Sequence, residues 1–286
     1  MHFHPLTDEH RAAWDASVAA RAPDGGLLQS WAWGEFQRAC GRTVVRLGGT
    51  DADGQFTAGW QMIRHNLPLG RAYLYAPRAL LPGSPDAVRD LLGAVRSAAV
   101  SQGAAFVRVD LTPHENLTSY GYRRRPDSVQ PTQELMVDLR PSQAQLLAAM
   151  KPKTRYNIGL AERHGVTVEC LRGRAALGQA WQDCYRLMVQ TAARQGIRLH
   201  PERYYHTMVA ALGAAGGLNL YLARAEGEPL AAALVAEFGS VATYLHGGSG
   251  SVHDEYMAPY LLHWQAMCAA KARGVNTYNF GGVSLD

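Results

Sequence analysis

The chain has 286 residues, 47% of them hydrophobic, and a formal net charge of +4. No apolar run reaches the roughly 18 residues that a membrane-spanning helix needs, the opening Met1-His-Phe-His-Pro-Leu-Thr-Asp-Glu-His10 lacks a basic-then-apolar leader layout, and the length exceeds what one core usually organises. So small a charge does not argue for nucleic acid by itself, and Cys40, Cys170, Cys184 and Cys268 share no CxxC spacing. Reduced cysteines held in the cores of a cytoplasmic two-domain protein are therefore expected.

In chain order, Arg46 to Trp60 reads as a hairpin turning at Asp51-Ala-Asp-Gly54, Tyr73 to Pro77 as a further strand, Pro85 to Gln102 as a helix and Gly103 to Asp110 as another strand. Within the helical stretch Val88, Leu91, Leu92, Val95 and Ala99 recur at three- and four-residue steps, which makes one apolar face. The same order returns later. Leu220 to Leu234 is a hairpin turning at Glu226-Gly-Glu-Pro229, Tyr244 to Gly248 a strand, Pro259 to Arg273 a helix and Gly274 to Phe280 a strand. Tyr73 and Tyr244 lie 171 positions apart, as do Gly103 and Gly274, while the turn residues Asp51 and Glu226 lie 175 apart. One α+β unit used twice is expected, with domains at 1–145 and 146–286 and a substrate cleft between them.

Charge is concentrated rather than spread. Residues 151–174 carry Lys151, Lys153, Arg155, Arg163, Arg172 and Arg174 against Glu162 and Glu169, and Arg123-Arg-Arg125 forms a second run. Phosphate contacts need such a local surplus, although a solvated helix face has the same composition. No HExxH, Walker A or GxSxG motif occurs; His2-x-His4 falls at a terminus expected to be mobile and His253-Asp-Glu255 in a polar loop. Neither a metal nor a bound organic cofactor is expected.

Gln29-Ser-Trp-Ala-Trp33, Tyr75-Ala-Pro-Arg78, Lys153-Thr-Arg-Tyr-Asn157 with Ala161-Glu-Arg-His-Gly165, and Tyr278-Asn-Phe-Gly-Gly282 together resemble the ordered signatures of the FemABX family over nearly the whole chain. Those proteins are tRNA-dependent aminoacyltransferases that build the interpeptide bridge of peptidoglycan. The resemblance implies two tandem acetyltransferase-like (GNAT-like) domains with mixed sheets flanked by helices. Since no heptad run is present, it points to the members without a coiled-coil arm. The implied partners are an aminoacyl-tRNA and a peptidoglycan precursor, either UDP-MurNAc-pentapeptide or lipid II at the inner membrane face; neither DNA nor metal is implied. The implied reaction joins glycine, alanine or serine to the side-chain amine of the stem peptide's third residue. An acyl-CoA-dependent N-acyltransferase and a non-catalytic RNA- or precursor-binding protein are the alternatives. The first of these lacks its usual Gln/Arg-x-x-Gly-x-Gly/Ala loop here.

Aminoacyl transfer needs a neutral amine, donors for an oxyanion and a route for a proton. Acetyltransferase-like sheets splay two central strands, so Tyr244 and the glycines of Ala242 to Ser249 are expected at an opened edge, unless those glycines only mark a bend. Asp110, at a strand end, either orients or deprotonates the amine or caps the next turn. Lys151, Lys153, Arg155 and Asn157 open a helix suited to phosphate. Arg78 and the phenols of Tyr204, Tyr205, Tyr244, Tyr256 and Tyr260 are candidate substrate contacts; Tyr256 and Tyr260 also suit packing. Gln37 and His200 stand where relatives often carry cations that meet the precursor's diphosphate, which leans toward the lipid-linked acceptor. Relatives also continue past Gly281-Gly282 with an element bearing a Lys that helps the transition state, and the sequence stops at Asp286, so that element is expected to be missing.

Overall fold

A computed structural model describes residues 2–50, 56–113 and 115–283, so the expected turn at Asp51-Ala-Asp-Gly54 lies outside the described residues. The chain divides into two compact units, Met1–Thr132 and Gln133–Asp286.

In the first unit, β1 (His2–Pro5), α1 (Arg11–Arg21), α2 (Trp31–Ala39), β2 (Val44–Thr50), β3 (Phe56–Asn66), β4 (Ala72–Ala79), α3 (Pro85–Ser101) and β5 (Ala104–Leu111) follow one another. The sheet runs β1-β2-β3-β4-β5, antiparallel until β4 meets β5 in parallel. Two parallel neighbours need a crossover, and α3 supplies it. Ser84 starts α3 by accepting from the Ala87 N–H at 3.3 Å, Pro85 fits the first turn, and Val88, Leu91, Leu92, Val95 and Ala99 are buried against Trp60, Met62 and Leu74. That is the apolar face read from the sequence. His2 and His4, in contrast, are not at a loose end: their strand pairs with Gly48 to Thr50 along the sheet edge.

The second unit contains β6 (Glu134–Asp138), α4 (Gln143–Ala149), α5 (Pro152–Arg163), β7 (Thr167–Arg172), α6 (Gln179–Gln195), α7 (Glu202–Ala214), β8 (Leu218–Ala225), β9 (Glu228–Phe238), β10 (Val241–Ser249), α8 (Ala258–Ala272) and β11 (Thr277–Gly282). Its sheet order is β6-β11-β10-β9-β8-β7. Glu226 and Gly227 both have positive φ, 52° and 85°, so the β8–β9 turn is two residues long and Pro229 already pairs with Arg224. Among the described residues the longest helices, α3 and α6, have 17 residues, and neither forms a coiled-coil arm.

The units divide before β6 rather than at 145/146, because β6 pairs with β11 and Leu139, fully buried, belongs to the second core. Lys271 fixes the same joint by donating to the carbonyls of Leu139 and Arg140 at 2.7 and 3.1 Å. The four cysteines are free; Cys184 is buried, but Cys170 is exposed rather than in a core.

Candidate functional site

The two parallel pairs differ in one respect that matters for chemistry. β4 and β5 pair over the span from Ala72↔Ala104 to Ala79↔Leu111, with irregularities after Ala72 and after Ala76, whereas β10 and β11 pair only from Val241↔Thr277 to Thr243↔Asn279. Beyond Thr243 the β11-facing edge of β10 leaves that ladder. A cavity of about 370 Å³ lies there, bordered by Tyr244 to Ser249, the C-terminal half of α6 and the Pro259, Leu262 and His263 positions of α8. Main-chain donors at a strand opening can hold a carbonyl oxygen.

A bulge at Leu245 shapes this wall. Tyr244 pairs with Val235 and His246 with the adjacent Leu234, so the two side chains emerge on opposite faces. Tyr244 meets His263 edge-on at 4.8 Å, and His246 meets Tyr205 edge-on at 4.9 Å. Burial pushes the Tyr244 phenol up and the imidazoles of His246 and His263 down to about 4, so both histidines are neutral near pH 7. Neither histidine stood out in the sequence. Gly247 and Gly248 are needed for close approach rather than for a bend: a Cβ on Gly248 would lie 2.4 Å from the Leu187 carbonyl oxygen, and one on Gly247 2.3 Å from that of Ala232.

The expected substrate phenols separate into two groups. Tyr205 is buried and its hydroxyl accepts from the His200 N–H at 3.1 Å, with His200 against Tyr204 at 4.2 Å, so these three form one ring cluster reaching His246. Tyr256 instead stacks between His164 at 4.1 Å and His253 at 4.5 Å, and Tyr260 is partly exposed on the first turn of α8. The polar loop holding His253-Asp-Glu255 contains a short helical turn, Asp254–Tyr256, flanked by left-handed His253 and Met257.

The basic group on α5 also divides. Lys151 precedes the helix and Lys153 lies in its first turn, both exposed. Arg155 donates to the carbonyls of Ala148 and Met150, closing the end of α4. Asn157 is buried with its amide nitrogen unpartnered. Tyr156, 60% exposed beside them and with Arg163 over its ring at 5.5 Å, went unremarked in the sequence.

In the first unit, Oδ2 of Asp110 accepts from the Tyr75 hydroxyl at 2.6 Å and from the Gln130 N–H at 3.3 Å, while Gln130 Nε2 donates to the same phenol at 3.0 Å. Burial, then the bond to Asp110, raises the Tyr75 phenol far above its ordinary range, so it keeps its hydrogen. Arg78, nearly buried with φ 48°, donates to the Pro131 carbonyl at 2.8 Å and pairs with Asp24 at 3.6 Å. Gln37 is 2% exposed and its carbonyl accepts from Arg42 at 2.8 Å, so the half-buried Arg42 carries a positive charge at this point.

Residues 151–285 match the sequence profile of the acetyltransferase (GNAT) domain family. The chain is 24% identical to the UDP-N-acetylmuramoylpentapeptide-lysine N(6)-alanyltransferase of Weissella viridescens, an alignment covering 93% of this chain and 82% of that one. It is 20% identical to the lipid II:glycine glycyltransferase of Staphylococcus haemolyticus (strain JCSC1435), covering 94% and 82%. Among solved structures it superposes on FemX with a TM-score of 0.85 at 20% identity, covering 100% of this chain and 90% of that one, and on a tandem GNAT protein from the clavulanic acid biosynthesis pathway with a TM-score of 0.59 at 13% identity, covering 100% and 90%. On these matches and the two sheets described above, the chain is similar to FemX and has the fold of tandem acetyltransferase-like units, with no coiled-coil arm among the described residues.

Proposed function

We propose that this protein transfers a small amino acid, glycine, alanine or serine, from the 3′ ester of an aminoacyl-tRNA to the side-chain amine at the third position of a peptidoglycan precursor's stem peptide. The observation that carries the reading is the opening of the β10/β11 ladder over a cavity, in a unit whose relatives' names describe alanyl and glycyl transfer to such precursors. Tyr244 borders the acyl group there, and the exposed Lys151, Lys153 and Tyr156 supply charge and a stacking face for RNA. Asp110 has its Oδ2 occupied by Tyr75 and Gln130, which leaves Oδ1 to orient the acceptor amine. In the first unit Arg42, held by Gln37, takes the place of the cation missing at that position as a contact for the precursor's phosphate.

Coenzyme A fits less well. Its pyrophosphate needs a cradle of main-chain N–H groups before the helix that follows the strand, and the segment ahead of α8 offers Asp254 and Glu255 instead, with Tyr256 clamped between two imidazoles. In the described residues no helix is long and apolar enough to cross a membrane.

The test is transfer of labelled amino acid from a charged total tRNA pool to UDP-MurNAc-pentapeptide and, separately, to lipid II, with acetyl-CoA as the competing donor. Label that reaches a precursor and is lost when the tRNA is first digested with ribonuclease supports the reading and identifies the amino acid. Label arriving only from acetyl-CoA overturns it.

A further inference from the structure

One polar pair inside the second unit joins α8 to β11. His263, on the second turn of α8, borders the cavity at the strand opening, and its Nδ1 lies 3.0 Å from the hydroxyl of Tyr278 on β11. Tyr278 is fully buried, and among the described residues His263 is the single hydrogen-bond partner of that hydroxyl. Burial drives the phenol far above its ordinary range, so it keeps its hydrogen, and a buried hydroxyl hydrogen with one neighbour in reach must go to it. Tyr278 therefore donates and Nδ1 accepts. An imidazole that accepts at Nδ1 and is neutral carries its hydrogen on Nε2, the nitrogen left for a ligand. The ring stays neutral because it is buried; facing it are Tyr244 from β10 and Tyr278 and Phe280 from β11, with the neutral His246 on the same cavity wall, and none of these brings a charge near pH 7.

We propose that His263 is a catalytic residue of the transfer, its Nε2–H donating to the acyl carbonyl oxygen as negative charge gathers there, and that Tyr278 is the positioning residue that fixes this tautomer. The inference rests on the proposed aminoacyl transfer. In that reaction the acceptor nitrogen forms a bond to the carbonyl carbon, the bond from that carbon to the ribose oxygen breaks, and the proton shed by the amine ends on the departing ribose hydroxyl. His263 gives up no proton; it stabilises the intermediate between the two bond changes. A neutral donor suits this role because a buried ring needs no counter-ion while uncharged and its strength does not vary across the working pH.

The tautomer is read directly by nitrogen-15 NMR of the full-length protein labelled at histidine, followed from pH 5 to 8. His263 is expected to show a protonated Nε2 and an unprotonated Nδ1 throughout; the opposite tautomer, or a titration near the ordinary histidine value, overturns the inference. Tyr278→Phe should give a mixture of tautomers and lower kcat about tenfold with KM for charged tRNA unchanged. His263→Ala should lower kcat about 10²-fold, and His263→Gln, which keeps an N–H donor, should recover at least tenfold of it. Should the unsubstituted protein transfer nothing from tRNA, the proposed function falls and this inference with it. Should it transfer and His263→Ala stay within threefold, the inference alone falls.

Discussion

Gly248 shows how tightly single positions constrain this site. A methyl group there would meet the Leu187 carbonyl oxygen at 2.4 Å and the Met188 nitrogen at 2.7 Å, both main-chain atoms of α6 that cannot rotate away. Gly248→Ala is expected to cost about 1–3 kcal/mol, seen as a fall of several degrees in Tm by calorimetry, because the strand or the helix must shift. An unchanged Tm would mean that α6 does not lie against β10 as described. Similar economy explains the Gln29-Ser-Trp signature. Gln29 bonds the Gln61 N–H at 2.8 Å and the carbonyls of Gln61 and Pro77, Ser30 caps α2 through the Trp33 N–H, and Arg46 reaches the Trp31 carbonyl at 2.9 Å while stacking on that indole at 3.7 Å. Those residues tie α2 to the sheet. The sequence displayed the motif, but only its contacts show that it is scaffold.

At the level of elements, α5 separates charges that look alike in the sequence. Lys151 and Lys153 stand exposed at its start, whereas Arg155 is spent on the carbonyls at the end of α4. Replacing both lysines by alanine should weaken tRNA binding and lower the slope of log K against log salt by about 1 to 2, since each phosphate contact releases just under one counterion. Arg155→Ala should lower Tm and leave the slope unaltered. Filter binding over a salt series distinguishes the two; equal slopes for the lysine variant and the parent would remove α5 from the proposed RNA surface. The helix itself was expected from the sequence, and Ile158 and Ala161 are among the residues it buries. The division of labour among its cations was not, because it depends on where α4 ends.

For the whole molecule the telling segment is β6. It lies ahead of the repeated unit in sequence yet closes the far edge of the second sheet on β11, with Leu139 in the core and Lys271 bonded to the carbonyls that follow it. An unpaired strand edge invites association with other chains. A fragment of residues 133–286 is therefore expected to melt cooperatively as a soluble species, and one of residues 146–286 to aggregate or to show no cooperative melt by circular dichroism. Equal behaviour of the two would contradict the assignment of β6 to the second unit.

The α3 periodicity, the two hairpins and the repeat of strand, helix and strand were all present in the linear pattern, because each depends on residues close together in the chain: a period of 3.6, a Glu226-Gly227 turn, a proline at a helix start. The opened edge at Tyr244 was expected only through the family resemblance; local pattern alone does not distinguish the β4–β5 and β10–β11 segments, because the difference lies in long-range pairing. The two histidines were hidden for a related reason. A period of two would put Tyr244 and His246 on one face; the bulge at Leu245, set by pairing with β9, turns His246 toward Tyr205 and leaves Tyr244 facing His263. Local sequence thus determined the elements and their order, while the tertiary pairing of distant strands decided where the sheet opens and which neutral imidazoles border the opening.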